Sequence, residues 1–171
     1  MALEIERRFL VRGSAWRQHI RWQARLRQGY LLATDEGLTV RVRLGAGGQA
    51  WLTLKAAAGA IARHEFEYPI PEADAEAMLA LAPVQIAKVR YGLDLPGGDW
   101  VLDVFEGANA PLVVAEVELE SADQPLELPP WCVRELSGRH DLSNAALALR
   151  PLAQWTEAER RDLLEPPQAP P

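Results

Sequence analysis

Apolar and polar residues alternate singly along most of this chain, the period of a half-buried β-strand. From Glu4 to Val11, Glu4, Glu6 and Arg8 share one face, and Ile5, Phe9 and Val11 share the other with Arg7. Gln23 to Leu32 repeats the pattern, with Arg25, Arg27 and Gly29 opposed to Leu26, Gln28 and Tyr30. Leu38 to Leu44 sets Arg41 and Arg43 against Val40 and Val42, and the glycine-rich 45–48 turn leads into a return strand, Gln49 to Lys55. Ala62 to Ile70, Val84 to Leu93, Trp100 to Glu106 and Leu112 to Glu120 complete a set of eight predicted strands. The period lengthens to that of a helix over residues 72–82, between Pro71 and Pro83, and again over 144–152 and 156–164. Ser14 is placed to cap a short helix over 15–20. The Pro129-Pro130 region reads as irregular, and 166–171 as a disordered proline-rich tail after a single domain of residues 1–165.

Eight strands with few helices predict an α+β fold built on an antiparallel sheet. The polar faces carry same-sign charges within a strand: Glu4 with Glu6, Arg41 with Arg43, Glu65 with Glu67, Lys88 with Arg90, and Glu116 with Glu118 and Glu120. A solvated face tolerates such repetition, whereas an enclosed one requires counterions. Two folds satisfy the pattern. One is a closed eight-stranded antiparallel barrel with a charged lumen and an apolar outside covered by helices. The other is a plain β-sandwich with a charged outer face. In the barrel, Arg8, Arg41, Arg43, Lys55, Arg63, Lys88 and Arg90 would face Glu4, Glu6, Glu65, Glu67, Asp103, Glu116, Glu118 and Glu120.

Composition narrows the chemistry. At 171 residues and 49% hydrophobic content the chain can bury a substantial core. Residues 1–65 hold 11 of the 18 basic residues but 5 of the 24 acidic ones. These bases are spaced along strands and the net charge is −6, which disfavours duplex nucleic acid as a partner. One cysteine and three histidines argue against a zinc site and for a hard cation on oxygen ligands. No apolar run reaches membrane-helix length, no leader is expected before the first strand, and the cytoplasm is the expected compartment. Arginine forks and lysines bind phosphate, and paired carboxylates hold Mg²⁺ or Mn²⁺, metals that bridge phosphate oxygens. Glu4 and Glu6 would lie about 7 Å apart along a strand, a spacing suited to sharing one cation if a facing strand adds ligands. No Walker loop or dinucleotide fingerprint is present; the 45–48 glycines join two strands.

The ordered set Glu4-x-Glu6-x-Arg8, Arg25-Leu26-Arg27-Gln28-Gly29-Tyr30, Arg41-Val42-Arg43, Leu52-Thr53-Leu54-Lys55, Glu65-Phe66-Glu67, Lys88-Val89-Arg90, Leu102-Asp103-Val104 and Glu116-Val117-Glu118 resembles the CYTH superfamily, the triphosphate tunnel metalloenzymes. The resemblance runs to about residue 150. It implies an eight-stranded tunnel with flanking helices and metal-dependent cleavage of a small triphosphate, tripolyphosphate in the bacterial members it is most like. It implies Mg²⁺ or Mn²⁺ on Glu4, Glu6, Glu116 and Glu118, and phosphate on Arg8, Arg41, Arg43, Lys55, Lys88 and Arg90. Arg8, Glu65 and Asp103 are the candidates for a catalytic role, the two acids by ordering lysines or a second metal. The family signature has lysine where this chain has Arg8, and a guanidinium cannot act as a base. Adenylate cyclase and thiamine triphosphatase activities belong to the same resemblance, and a non-enzymatic polyphosphate-binding protein is the alternative of a different class. Tyr30, Tyr68 and Tyr91 are expected to pack on the outer wall.

Overall fold

The structure, a computed structural model, describes residues 3–165. The expected tail at 166–171 lies outside the described residues. Nine strands run in the order β1 (Leu3–Val11), β2 (Ile20–Ala33), β3 (Thr39–Gly45), β4 (Ala50–Ala57), β5 (Ala62–Ile70), β6 (Val84–Leu93), β7 (Asp99–Phe105), β8 (Val113–Glu118) and β9 (Cys132–Glu135). Three helices are α1 (Glu72–Leu81), α2 (Asn144–Leu149) and α3 (Glu157–Leu164). Among the described residues no helix is long and apolar enough to cross a membrane.

Eight strands close an antiparallel barrel in the order β5-β4-β3-β2-β6-β7-β8-β1, and β1 returns to β5 through Leu3↔His64, Glu4↔Arg63 and Ile5↔Ala62. β1 is the shared element. Its first half pairs β5, its middle pairs β8, and Phe9 to Val11 pair the short β9. A sandwich is excluded by this closure. The strand β9 falls inside the segment read as irregular, because four residues after two prolines carry too little alternation to register.

The two faces of the wall differ as the alternation requires. Outside, Phe9, Trp16, Leu102, Ala115, Val117 and Trp131 form one core, and Tyr91 packs on Trp16 with ring centroids 5.0 Å apart. A second outer core lies under α1, where Ala75 and Leu79 meet Val42, Leu44 and Ala50. Truncating Leu79 to alanine there would cost about 2–5 kcal/mol. Gly29 permits this approach: a Cβ at Gly29 would stand 2.7 Å from the Ala82 Cβ. The helices do not cover the whole wall, however. Phe66 and Tyr68 project from β5 into solvent, so Tyr68 does not pack as expected.

Inside, the lumen-facing positions change character along the axis. Leu10, Tyr30, Ile86, Phe105 and Val114 share the lumen-facing side of their strands at one end of the barrel and pack with Leu142, Leu147, Leu152, Trp155 and Leu163 from the C-terminal segment. One end of the barrel is thereby plugged by apolar side chains. Tyr30 belongs to this plug and not to the outer wall, since it shares a face with Gln28 and accepts a hydrogen bond from its Nε2 at 3.3 Å. Helix α2 is capped by Ser143, which accepts from the Ala146 N–H, and α3 by a reciprocal Thr156–Glu159 capping box. Residues 15–19 form a single 3₁₀ turn, and Ser14 makes no side-chain cap to it.

Candidate active site

Register builds the site from four directions. Glu6 stands directly opposite Glu118, and Arg8 opposite Glu116, across the β1–β8 ladder. Arg90 stands opposite Asp103 across β6–β7, and Lys55 opposite Glu65 across β4–β5. Side chains in such positions have Cβ atoms about 5 Å apart, so each pair must interact.

The basic arm is deeply buried. The Lys88 ammonium has no solvent exposure and donates to Asp103 Oδ2 at 2.6 Å and to Asn144 Oδ1 at 3.2 Å. Arg90 grips Asp103 with a fork, Nε to Oδ1 and Nη2 to Oδ2, both at 2.8 Å, and its Nη2 also reaches Glu116 Oε2 at 2.9 Å. Arg43 donates from Nε to Gln28 Oε1 at 3.0 Å. Arg41 donates from Nη2 to Thr53 Oγ1 at 3.1 Å and to Glu67 Oε2 at 3.3 Å, and lies 3.9 Å from Glu65. Arg8 donates from Nη1 to the Leu142 carbonyl at 2.8 Å, with Nε 3.4 Å from Glu116 Oε1. Two donors in this arm are buried with no partner among the described residues, Arg8 Nη2 and Arg41 Nε. A buried unsatisfied donor costs about 1–3 kcal/mol, more for a charged group, so an anionic acceptor would fit both.

Charge crowding shows in the titration behaviour. Burial, reinforced by Arg41 and Arg90, lowers the Arg43 guanidinium to about 9. Burial lowers Lys88 to about 7, against the opposing pull of Asp103. Burial alone would raise Asp103 and Glu116, yet Arg90 with Lys88 or Arg8 outweighs it and both stay below the ordinary carboxylate range. In this arm Arg90 alone is raised, held against burial by Asp103 and Glu116, while the buried Arg43 and Lys88 are disfavoured as cations, which a polyanion beside them would relieve.

The acidic arm behaves in the opposite sense. Glu4, Glu6 and Glu118 are all raised, by burial first. Beyond burial, the strongest charged neighbours of Glu6 are Glu116 and Glu4, and those of Glu118 are Glu4 and Asp99. Like charges directly opposite one another destabilise a strand pair, so Glu6 facing Glu118 fits a shared cation. No three carboxylate, histidine or cysteine side chains converge as a ligand set among the described residues. The cause is visible: Glu4 is drawn 2.6 Å from Lys55 Nζ, and Glu116 is drawn to Arg90 and Arg8. These oxygen donors suit a hard divalent cation, and Glu6 and Glu118 make no ion pair among the described residues.

The lumen therefore collects all the expected site residues: Arg8, Arg41, Arg43, Lys55, Lys88 and Arg90, with Glu4, Glu6, Glu65, Asp103, Glu116 and Glu118. Arg63 is half-buried opposite Glu4. Glu120 does not join them, because β8 ends at Glu118 and Glu120 is exposed beyond it. Three polar partners escaped the sequence reading: Gln28, Thr53 and Asn144. Gln28 and Thr53 are fully buried. Their signal is a lone amide and a lone hydroxyl on faces otherwise apolar or basic; Asn144 opens the helix predicted over 144–152 and falls in the ordered family match, but its contact with Lys88 is set by the tertiary fold.

Comparison with known proteins agrees with this fold. The family model described as CYTH domain matches residues 2–148. An inorganic triphosphatase of Acetivibrio thermocellus is 35% identical over 160 residues, covering 92% of this chain and 100% of the relative. An inorganic triphosphatase of Nitrosomonas europaea is 36% identical over 150 residues, covering 85% of this chain and 97% of the relative. A crystal structure of an inorganic triphosphatase superposes with a TM-score of 0.60 at 34% identity, over 87% of this chain and 96% of its own.

Proposed function

Because this chain belongs to the CYTH family, we propose that it hydrolyses a phosphoanhydride bond of a triphosphate bound inside the barrel. The observation that carries this reading is the pair of buried donors without a partner among the described residues, Arg8 Nη2 and Arg41 Nε, within a basic arm of five side chains. Phosphate oxygens are the acceptors that would satisfy them. Arg41, Arg43, Lys88 and Arg90 hold the phosphate chain, and Lys55 and Arg8 reach it from either side of the carboxylates. Asp103 orients Lys88 and Arg90 and so acts as a positioning residue, and Glu65 does the same for Lys55. Arg8 serves as a phosphate ligand tied to the plug through Leu142.

Glu4, Glu6, Glu116 and Glu118 would hold Mg²⁺ or Mn²⁺, which when bound neutralises charge on phosphate oxygens. Engaging Lys55 and Arg90 with phosphate would release Glu4 and Glu116 from their present ion pairs toward that cation. The arginines stabilise charge developing on the phosphoryl oxygens as water attacks, so positioning and electrostatics account for most of the rate. Tripolyphosphate is the proposed substrate, in keeping with the naming of two relatives as inorganic triphosphatases, and the cytoplasm is the proposed compartment.

The test is phosphate release from tripolyphosphate, ATP and thiamine triphosphate at equal concentration, with and without Mg²⁺ or Mn²⁺. Metal-dependent release from at least one supports the proposal. Tight tripolyphosphate binding with turnover no faster than buffer would overturn it in favour of a polyphosphate-binding protein.

A further inference from the structure

Trp22 stands apart from the other tryptophans. Trp16, Trp100, Trp131 and Trp155 are buried, and Trp51 is partly so. Trp22 is 49% exposed. It lies on β2 opposite Gly92 of β6. A Cβ built on Gly92 would fall 2.1 Å from the indole Nε1 and 2.2 Å from Cε2, so the indole rests over Gly92. Gly92 shares its strand face with Lys88 and Arg90, and that face is the lumen. The indole thus lies one two-residue step, about 7 Å, beyond Arg90. The step leads away from the plug, since Ile86 at the other end of the same face belongs to the plug. The strand end is tied down beside the indole by the Arg21–Asp94 ion pair at 2.9 Å and by the Asp94 N–H to the His19 carbonyl at 2.8 Å.

We propose that Trp22 is a specificity-determining residue, a stacking platform at the mouth of the lumen for the planar ring of an organic triphosphate. The inference rests on the reading of the lumen as a triphosphate site. With one end plugged, phosphates held by Arg90 and Arg43 leave the organic end of the ligand directed to the mouth, where the half-exposed indole faces it. Stacking is tolerant of the ring's identity, so the platform favours heteroaromatic triphosphates as a class. Tripolyphosphate has no ring and gains nothing from it.

The experiment compares kcat/KM for ATP and for tripolyphosphate in the parent protein, Trp22→Ala, Trp22→Phe and Gly92→Ala. The ATP-to-tripolyphosphate ratio should fall about tenfold in Trp22→Ala, within the range of one lost base–aromatic stack. Trp22→Phe should keep most of it. Gly92→Ala retains the indole but forces it from its seat, and should match Trp22→Ala. An equal loss with both substrates would mark Trp22 as structural, and no loss would remove it from recognition; either overturns the proposal. If the parent protein releases phosphate from neither substrate, nor from thiamine triphosphate, the triphosphatase reading falls by itself. Calorimetric affinities for ATP and tripolyphosphate then decide the platform by the same ratio.

Discussion

Lys88 Nζ and Asp103 Oδ2 lie 2.6 Å apart with neither side chain exposed to solvent, and the same carboxylate takes the Arg90 fork. One acid thus holds two cations in the interior of the barrel. Removing one partner of a buried ion pair strands the other, at about 3–5 kcal/mol. Asp103→Asn should lower stability in urea by about that amount, and added tripolyphosphate should restore more of it than it adds to the parent protein, because phosphate supplies the missing charge. A loss below about 1 kcal/mol would show the pair to be dispensable.

Lys88 gives a pH signature. Burial has lowered it to about 7, so in the free protein it loses its proton as pH rises through neutrality. Binding a polyanion favours the protonated form. Tripolyphosphate affinity should therefore decline above pH 7, and Lys88→Arg, which keeps its charge, should flatten that limb. The check is affinity measured from pH 6 to 9 in both proteins.

Glu6 gives a signature of opposite origin. Burial and the neighbouring Glu116 and Glu4 raise its folded pKa above the ordinary 4.5. The folded state then binds more protons than the unfolded one, and this group's stability contribution is present below pH 4.5 and lost as pH rises through the raised value. The stability of Glu6→Gln minus that of the parent, measured without metal, should grow with pH across that window. Saturating Mg²⁺ should reverse the sign, because the parent gains a bound cation. Glu4→Ala should behave differently and destabilise, since Glu4 is paired with Lys55 at 2.6 Å.

Arg8→Lys tests the departure from the family signature. The Arg8 guanidinium donates to the Leu142 carbonyl from Nη1 while Nη2 points elsewhere, whereas an ammonium offers its donors from one point without that planar fork. KM for the triphosphate should rise and kcat should fall or stay level. A rise in kcat of roughly tenfold, about 1.4 kcal/mol of barrier, would instead mean that position 8 aligns the attacking water or moves a proton.

The sequence by itself determined the eight barrel strands, though not β9, and the grouping of like charges on one face of each. Alternation is local, and a residue's face follows from its parity, so Arg41 and Arg43, or Lys88 and Arg90, could be assigned together. The ordered motifs then identified the family and with it the expected roles. Sequence could not determine which partners those charges choose. Glu4 to Lys55 and Arg8 to Glu116 are contacts across 51 and 108 positions, set by barrel closure and register. Parity also could not tell where a lumen-facing row turns from charged to apolar. Tyr30 was read as outer packing for that reason, although its face was correctly grouped with Gln28. Only closure of one end by the C-terminal segment makes Leu10, Tyr30 and Phe105 into a plug. The mouth where Trp22 stands follows from the same closure, because an end is open only when the other end has been filled.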